Sequence, residues 1–367
     1  MSNRNGLLGL SACALMVAAG FLTASAAYAQ SLTDPASLEK CFVKASADTP
    51  MMPAKHKTGP YKIAFSNSLY GNNWRTEMLN IASAYVKQPD VAAHIASFKI
   101  FNSGNDVSQQ ISQIRSMILS GYDAIVVDAA SPTGLDSVIN QAVKQGIVVV
   151  AFDNTVGTTK AINVNEDQTE MGRQWAQFLV KQVPANKTIL MVRGLAGATV
   201  DNDQVDGAKS VFKDHPDLKL VEVYGGWDVG TNQKVTADAL ATNHDIGGVW
   251  GTEGATGALQ AILQVHAPLV PMTGESDNGF MMLATENKIP AMVIGQSPAL
   301  VAVAIRAAIA TLSGQSLPQS ANVPLTALTT DEMKPDVDFF PKLPGSFVTN
   351  ISIPQCEVHI PVTEVVK

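Results

Sequence analysis

Tyr61-Lys62-Ile63-Ala64-Phe65, then Ser68-Leu69-Tyr70-Gly71-Asn72-Asn73-Trp74-Arg75, then Thr76-Glu77-Met78-Leu79-Asn80-Ile81-Ala82 form the stretch on which the reading of the chain turns. An apolar run, a polar loop and a segment of helical spacing succeed one another, so the loop joins a first strand to a first helix. In open α/β sheets, ligands bind beyond the carboxyl ends of the strands, at loops of this kind. This one offers amides, an indole and a guanidinium. Amides and Arg bond to hydroxyls, and an indole face stacks on the C–H face of a ring. That set suits a polyhydroxylated small molecule. The plainer alternative is a polar surface turn with one buried Trp.

The pattern repeats outward. Residues 95–101 alternate as a second strand. Over 107–120, Ile111, Ile114, Met117 and Ile118 share a helical face that stops at Gly121. Ala124-Ile125-Val126-Val127 is wholly apolar, as a central parallel strand should be. A helix over 135–145 ends at Gly146, and 147–152 is the next strand. A second run follows, with strands predicted at 162–164, 188–192, 218–224, 248–250, 269–272 and 291–294 and helices between them. An apolar helix over 300–312 closes at Gly314. Such alternation means βαβ units and parallel sheets. A chain of 367 residues exceeds one comfortable core, so two α/β halves are expected. From Pro324 onward prolines are frequent and periodicity is lost, which predicts crossing strands and a surface wrap.

Residues 6–27 are apolar and small, and Ala27-Tyr28-Ala29 before Gln30 is an A-x-A cleavage pattern. This is a secretory signal, with export and cleavage after Ala29. Leu10-Ser11-Ala12-Cys13 resembles a lipoprotein box that would leave a lipidated Cys13. The short apolar stretch before Cys13 and the long one after it favour cleavage after Ala29. Cys41 and Cys356 remain, an even pair in an oxidising compartment, and read as a disulfide tying two extensions together. Two unpaired buried thiols are the alternative. There is no CxxC and no Cys/His cluster, so neither structural zinc nor another cofactor is expected. The net charge is −7 without a basic run, which argues against nucleic acid.

Polar residues recur where the predicted strands end: Asp153-Asn154, Trp227-Asp228, Glu253, Glu275-Ser276 and Gln296. Asp228 and Asp277 precede helices and read as caps or turn residues. No enzyme signature accompanies them. Gly194-Leu195-Ala196-Gly197 fits neither the dinucleotide nor the P-loop pattern, and Gly251-Thr252-Glu253-Gly254 has no Ser nucleophile. None of the six histidines falls at a strand end. Paired carboxylates such as Asp153 and Glu275 suit a glycosidase in principle, but the chain is read as a binding protein and not an enzyme.

Asn72-Asn73-Trp74-Arg75, Ala151-Phe152-Asp153, Gly194-Leu195-Ala196-Gly197-Ala198-Thr199, Gly248-Val249-Trp250-Gly251-Thr252-Glu253-Gly254 and Ile294-Gly295-Gln296-Ser297-Pro298 occur in register. In this the chain resembles the type I periplasmic sugar-binding proteins, the ribose/galactose/galactofuranose-binding group of ABC importers, over about residues 61–324. The resemblance implies two Rossmann-like lobes joined by a three-crossing hinge near 163–167, 296–297 and 323–325. Residues 60–165 plus 297–324 would form the N-terminal lobe. Residues 166–296 plus 325–367 would form the C-terminal lobe and extension, with 30–59 as an N-terminal extension after a signal peptide at 1–29.

By the same resemblance Asn72 bonds a hydroxyl, Trp74 takes the stacking place and Asp153 accepts from two hydroxyls. Glu253 replaces an amide or carboxylate, Glu275 or Ser276 replaces an Asp, and Gln296 bonds at the hinge. Trp227 completes the set. Asn154 and Gln204 stand where ribose binders carry Arg, with Asp201 and Asp203 near Gln204, while Arg75 replaces an aromatic as in the galactofuranose branch. The implied ligand is a neutral monosaccharide other than ribose, or a polyol; the acidic cleft also tolerates a cation. The implied partner is an ABC permease in the inner membrane, served by a monomer through hinge closure. A receptor presenting ligand to a membrane sensor is the alternative. A LacI-type repressor would need a helix-turn-helix where the signal stands.

Overall fold

The computed structural model describes residues 32–70 and 72–366. The expected signal, its cleavage site and Cys13 lie outside the described residues. The chain begins with α1 (Pro35–Cys41), β1 (Val43–Lys44) and β2 (Met51–Met52). Then come β3 (Tyr61–Asn67), α2 (Asn73–Tyr85), α3 (Pro89–Ala92), β4 (Ile95–Asn102), α4 (Val107–Leu119), β5 (Ala124–Val127), α5 (Asp136–Lys144), β6 (Val148–Phe152) and β7 (Ile162–Glu166). The second run is α6 (Gln168–Gln182), β8 (Thr188–Arg193), α7 (Thr199–Phe212), β9 (Lys219–Tyr224), α8 (Val229–Thr242), β10 (Ile246–Gly251), α9 (Ala255–Gln264), β11 (Met272–Gly274), α10 (Asn278–Glu286) and β12 (Ala291–Ile294). Last come α11 (Leu300–Leu312), β13 (Leu317–Pro318), β14 (Ser320–Val323), β15 (Ala327–Thr329), a 3-10 turn at Pro354–Cys356 and α12 (Val362–Val365).

Two sheets result. The first has the order β1-β14-β7-β6-β5-β3-β4 and the second β15-β12-β11-β10-β8-β9. Only the edge pairs β1–β14 and β12–β15 are antiparallel within them. β5 and β6 are buried along their whole length, as strands covered by helices on both faces must be. β11 starts at Met272, later than the predicted 269–272, because Pro271 has no N–H to give the ladder. Helices α6 and α7 approach closely at Gly172, where a Cβ would come within 1.8 Å of the Gln204 carbonyl oxygen. That contact fixes where Gln204 lies.

The chain passes between the lobes after β7, between β12 and α11, and between β14 and β15, the three crossings that the resemblance implies. It then crosses once more. Met333 and Phe339 belong to the second core, while Phe347, Val348, Ile351, Ile353, Cys356, Val358, Ile360 and Val365 are buried in the first. The C-terminal extension was expected to wrap the surface and to stay with the second lobe. Instead its apolar residues, spaced irregularly among prolines, complete the first core. Cys41 and Cys356 are joined in a disulfide. Beside them Arg306 of α11, fully buried, donates to the carbonyls of Leu32 (3.1 Å) and Cys356 (2.6 Å) and to the Ser37 hydroxyl (2.7 Å). One guanidinium thus ties the N-terminal segment, α11 and the returning chain together. Among the described residues no helix is long and apolar enough to cross a membrane.

Candidate functional site

The loop after β3 builds one wall. Asn72 caps α2, its side-chain oxygen accepting from the Arg75 N–H at 2.8 Å. That oxygen is engaged, so the Asn72 NH₂ is what remains to meet a ligand. The cap turns Trp74 and Arg75 inward. Trp74 is 5% exposed, and its indole N–H donates to the Gln296 carbonyl at 2.9 Å. The Arg75 guanidinium lies 4.8 Å from the centroid of the Trp74 ring. It pairs with Asp153 at 2.8 Å and with Asp128 in a closer contact. Asn154 donates to both carboxylates, at 3.0 Å to Asp128 and 3.1 Å to Asp153, and Gln296 also donates to Asp153.

Asp128 was missed in the sequence. It ends β5 as Asp153 ends β6, so an apolar strand followed by Asp was the available signal. It is fully buried, and it holds Arg75 rather than facing a ligand.

The second lobe supplies the facing wall. Trp227 adopts φ +61° and packs its indole against Gly194, where a Cβ would come within 2.2 Å of the ring. No larger residue at 194 leaves room for it. Glu253 follows β10 and Glu275 follows β11. The Glu253 carboxylate accepts no hydrogen bond among the described residues. Glu275 is 6% exposed, and the Gln204 side-chain NH₂ lies 3.4 Å from it. Asn72, Trp74, Arg75, Asp153, Asn154, Trp227, Glu253, Glu275 and Gln296 line one cavity of about 250 Å³. A second cavity of about 340 Å³ continues past Arg75 and Asp153 toward Asn165 and Asp203.

Gln204 is not brought to the wall. It is fully buried behind Glu275 and donates to Gln168 at 2.9 Å. Ser276 faces away, into a different cavity of about 460 Å³ between the hinge and the C-terminal segment. Of the pair Glu275 and Ser276, it is therefore Glu275 that reaches the cleft. Asp228 caps α8 through the Thr231 N–H at 2.7 Å. Asp277, also expected as a cap or turn residue, accepts instead from the Gly254 N–H at 2.8 Å and so braces the Glu253 loop.

Burial governs the charges here. It lifts Glu275 to about 8 and Glu253 well above the carboxyl range, each worsened by acidic neighbours. Asp128, raised to about 7, and Asp153 are also lifted by burial, against the downward pull of Arg75. Burial opposes the Arg75 charge, but Asp128 and Asp153 outweigh it and its pKa ends above the ordinary value. Among the described residues no cluster of His, Cys, Asp and Glu is arranged to hold a metal.

Two α/β lobes with a polar cavity at the ends of their strands, joined by three hinge crossings beside the returning C-terminal segment, define a type I periplasmic binding protein. The chain belongs to the periplasmic binding protein domain family, whose model matches residues 63–316. Among relatives, a D-ribose/D-allose-binding protein of Pseudomonas aeruginosa is 28% identical over 207 residues, covering 53% of this chain and 63% of the relative. A xylitol-binding protein of Mycolicibacterium smegmatis is 28% identical over 189 residues, covering 48% of this chain and 52% of the relative. The chain thus spans about half to three-fifths of the length of these relatives. An ABC transporter solute-binding protein of Thermobispora bispora superposes with a TM-score of 0.66 at 27% identity, over 72% of this chain and 84% of that structure.

Proposed function

We propose that the protein captures a monosaccharide or polyol between its lobes in the periplasm and delivers it to an ABC permease. The observation that carries this reading is the 250 Å³ cavity between the lobes, with two indoles on its walls and amide and carboxylate groups around them. Indole faces suit C–H faces of a sugar, and planar polar groups suit its hydroxyls. Relatives named for ribose, allose and xylitol support a ligand of this class. The ligand binds the closed arrangement of the lobes better than an open one, and so shifts the population toward the form that docks on the permease. The chain acts as a monomer, exported with cleavage after Ala29.

A thermal-shift screen over pentoses, hexoses, furanoses and polyols identifies the ligand, since a specific binder stabilises by mass action. Trp74→Ala is a poor probe of the site, because Trp74 belongs to the first core and its truncation costs about 3–5 kcal/mol. Trp227→Ala is cleaner. It is expected to weaken binding at least tenfold in calorimetry while the melting temperature stays within a few degrees. Unchanged affinity would remove Trp227 from the site, and a screen without a binder would remove the function.

A further inference from the structure

The charges on the cavity do not balance. Among the described residues, Arg75 is the one cation on its walls, and its guanidinium is already held by Asp128 and Asp153. Glu253 and Glu275 face the same space from the second lobe, and Arg75, already shared by two carboxylates, is the cation that acts on Glu253. Glu253 accepts no hydrogen bond among the described residues. Glu275 accepts from the Gln296 backbone N–H and is met at 3.4 Å by Gln204, whose own amide oxygen is fully buried and unpartnered among the described residues. The other charged groups around this pair are acidic: Asp277 behind the Glu253 loop, Glu166 at the hinge and Asp153 across the cavity.

We propose that the ligand is an aminated sugar or polyol whose ammonium group sits between Glu253 and Glu275, with its hydroxyls toward Asn72, Asp153 and Asn154. The inference rests on the proposed function, which makes this cavity the ligand site. A buried carboxylate without an opposing charge beside it takes up either a proton or a cation. With protein groups alone it takes the proton, which is why burial holds Glu275 near 8. An ammonium brings three donors and one positive charge, so it can donate to both carboxyls and displace one proton from the pair, the second acid keeping its own. A neutral sugar brings no charge to offset theirs and meets the pair through its hydroxyls alone. The opposite wall needs no cation, because Arg75 and Asn154 already satisfy Asp128 and Asp153 there.

The test is calorimetry at pH 7 on the full exported protein with matched pairs: D-glucosamine and D-glucose, D-galactosamine and D-galactose, and 1-amino-1-deoxysorbitol and sorbitol. In at least one pair the amine is expected to bind at least thirtyfold tighter. Its binding heat should differ between buffers of different ionisation enthalpy in the sense of protons released by the protein. In Glu253→Gln and Glu275→Gln the amine-to-neutral affinity ratio of that pair is expected to fall toward one. Should the neutral member bind as well or better in every pair that binds, the ammonium proposal is overturned and the sugar-binding reading stands. Binding by no member of any pair, with a blank result in the wider sugar screen, overturns both. The wild-type comparison decides the matter even where a variant fails to fold.

Discussion

Arg75 sits between two carboxylates, and the one farther from the cleft, Asp128, has no exposed surface at all. Removing one partner of a buried pair leaves the other charge uncompensated, which costs about 3–5 kcal/mol. Asp128→Ala is therefore expected to lower the unfolding free energy by about 3 kcal/mol, read from a urea titration. It should also weaken ligand binding, because Arg75 then swings toward Asp153 and fills the cavity. Stability within 1 kcal/mol of wild type would show that Asp153 alone suffices for Arg75. Asp128 was overlooked although the sequence marks it as it marks Asp153. Both end apolar strands, and topology carries every strand end to one edge, so strand-end residues such as Asn72, Asp153, Glu253, Glu275 and Gln296 were legible. Which side chain turns into the cleft was not. Gln204 was misjudged, and the choice between Glu275 and Ser276 stayed open, because that depends on packing, such as the approach of α6 and α7 at Gly172, which no local pattern encodes.

The α/β units were legible because each is local: a run of β-branched residues, a capped amphipathic segment and a Gly stop. The C-terminal segment was not, because its order comes from long-range partners. Asn278 at the start of α10 donates to the carbonyls of Phe340, Leu343 and Pro344 and accepts from the Phe340 N–H at 2.7 Å. Farther on, the Val348 N–H meets the Glu77 carboxylate of α2 at 3.1 Å, and Val348 forms a β-bridge with Asp277. Asn350 joins the hinge at both ends, donating to the Gly295 carbonyl at 2.8 Å and accepting from the Ser297 hydroxyl at 2.5 Å. The segment therefore touches both lobes and the hinge before the disulfide fastens it. Cys41 and Cys356 are 315 residues apart, so opening the bond restores a large loop entropy to the unfolded chain. A Cys41→Ser, Cys356→Ser double variant is expected to lose about 2–5 kcal/mol, with faster amide exchange over 347–358. Exchange unchanged there would mean that Arg306 and the apolar contacts hold the segment without the bond.

Several carboxyls are buried in the molecule as a whole, and together they make its stability fall with rising pH. Burial raises Glu77 and Glu275 to about 8 and Asp277 to about 7, and lifts Glu166 and Glu253 well above the carboxyl range. In the unfolded chain these groups return to their ordinary values near 4.5 for Glu and 3.8 for Asp. Between the unfolded and folded values the native state binds more protons than the unfolded state, so the unfolding free energy declines as pH rises. Glu170, Glu222 and Asp228 have lowered values, and what they contribute is lost only as pH falls through the acid range. They do not offset the decline above pH 5.

One pKa unit is worth about 1.4 kcal/mol, but water in the cleft reduces the share of Glu253 and Glu275. A net loss of about 2–4 kcal/mol between pH 5.5 and 8.5 is the expected size, seen as a falling melting temperature. Glu77 lies outside the cleft, in contact with Val348. Glu77→Gln keeps an oxygen for the Val348 N–H and removes the ionisation, so it should flatten the profile whether or not ligand is present. A bound ammonium ligand should flatten the separate share of Glu253 and Glu275. A melting temperature constant from pH 5.5 to 8.5 would show that water reaches these carboxyls in solution, and the charge argument for the ligand would lose its footing with it.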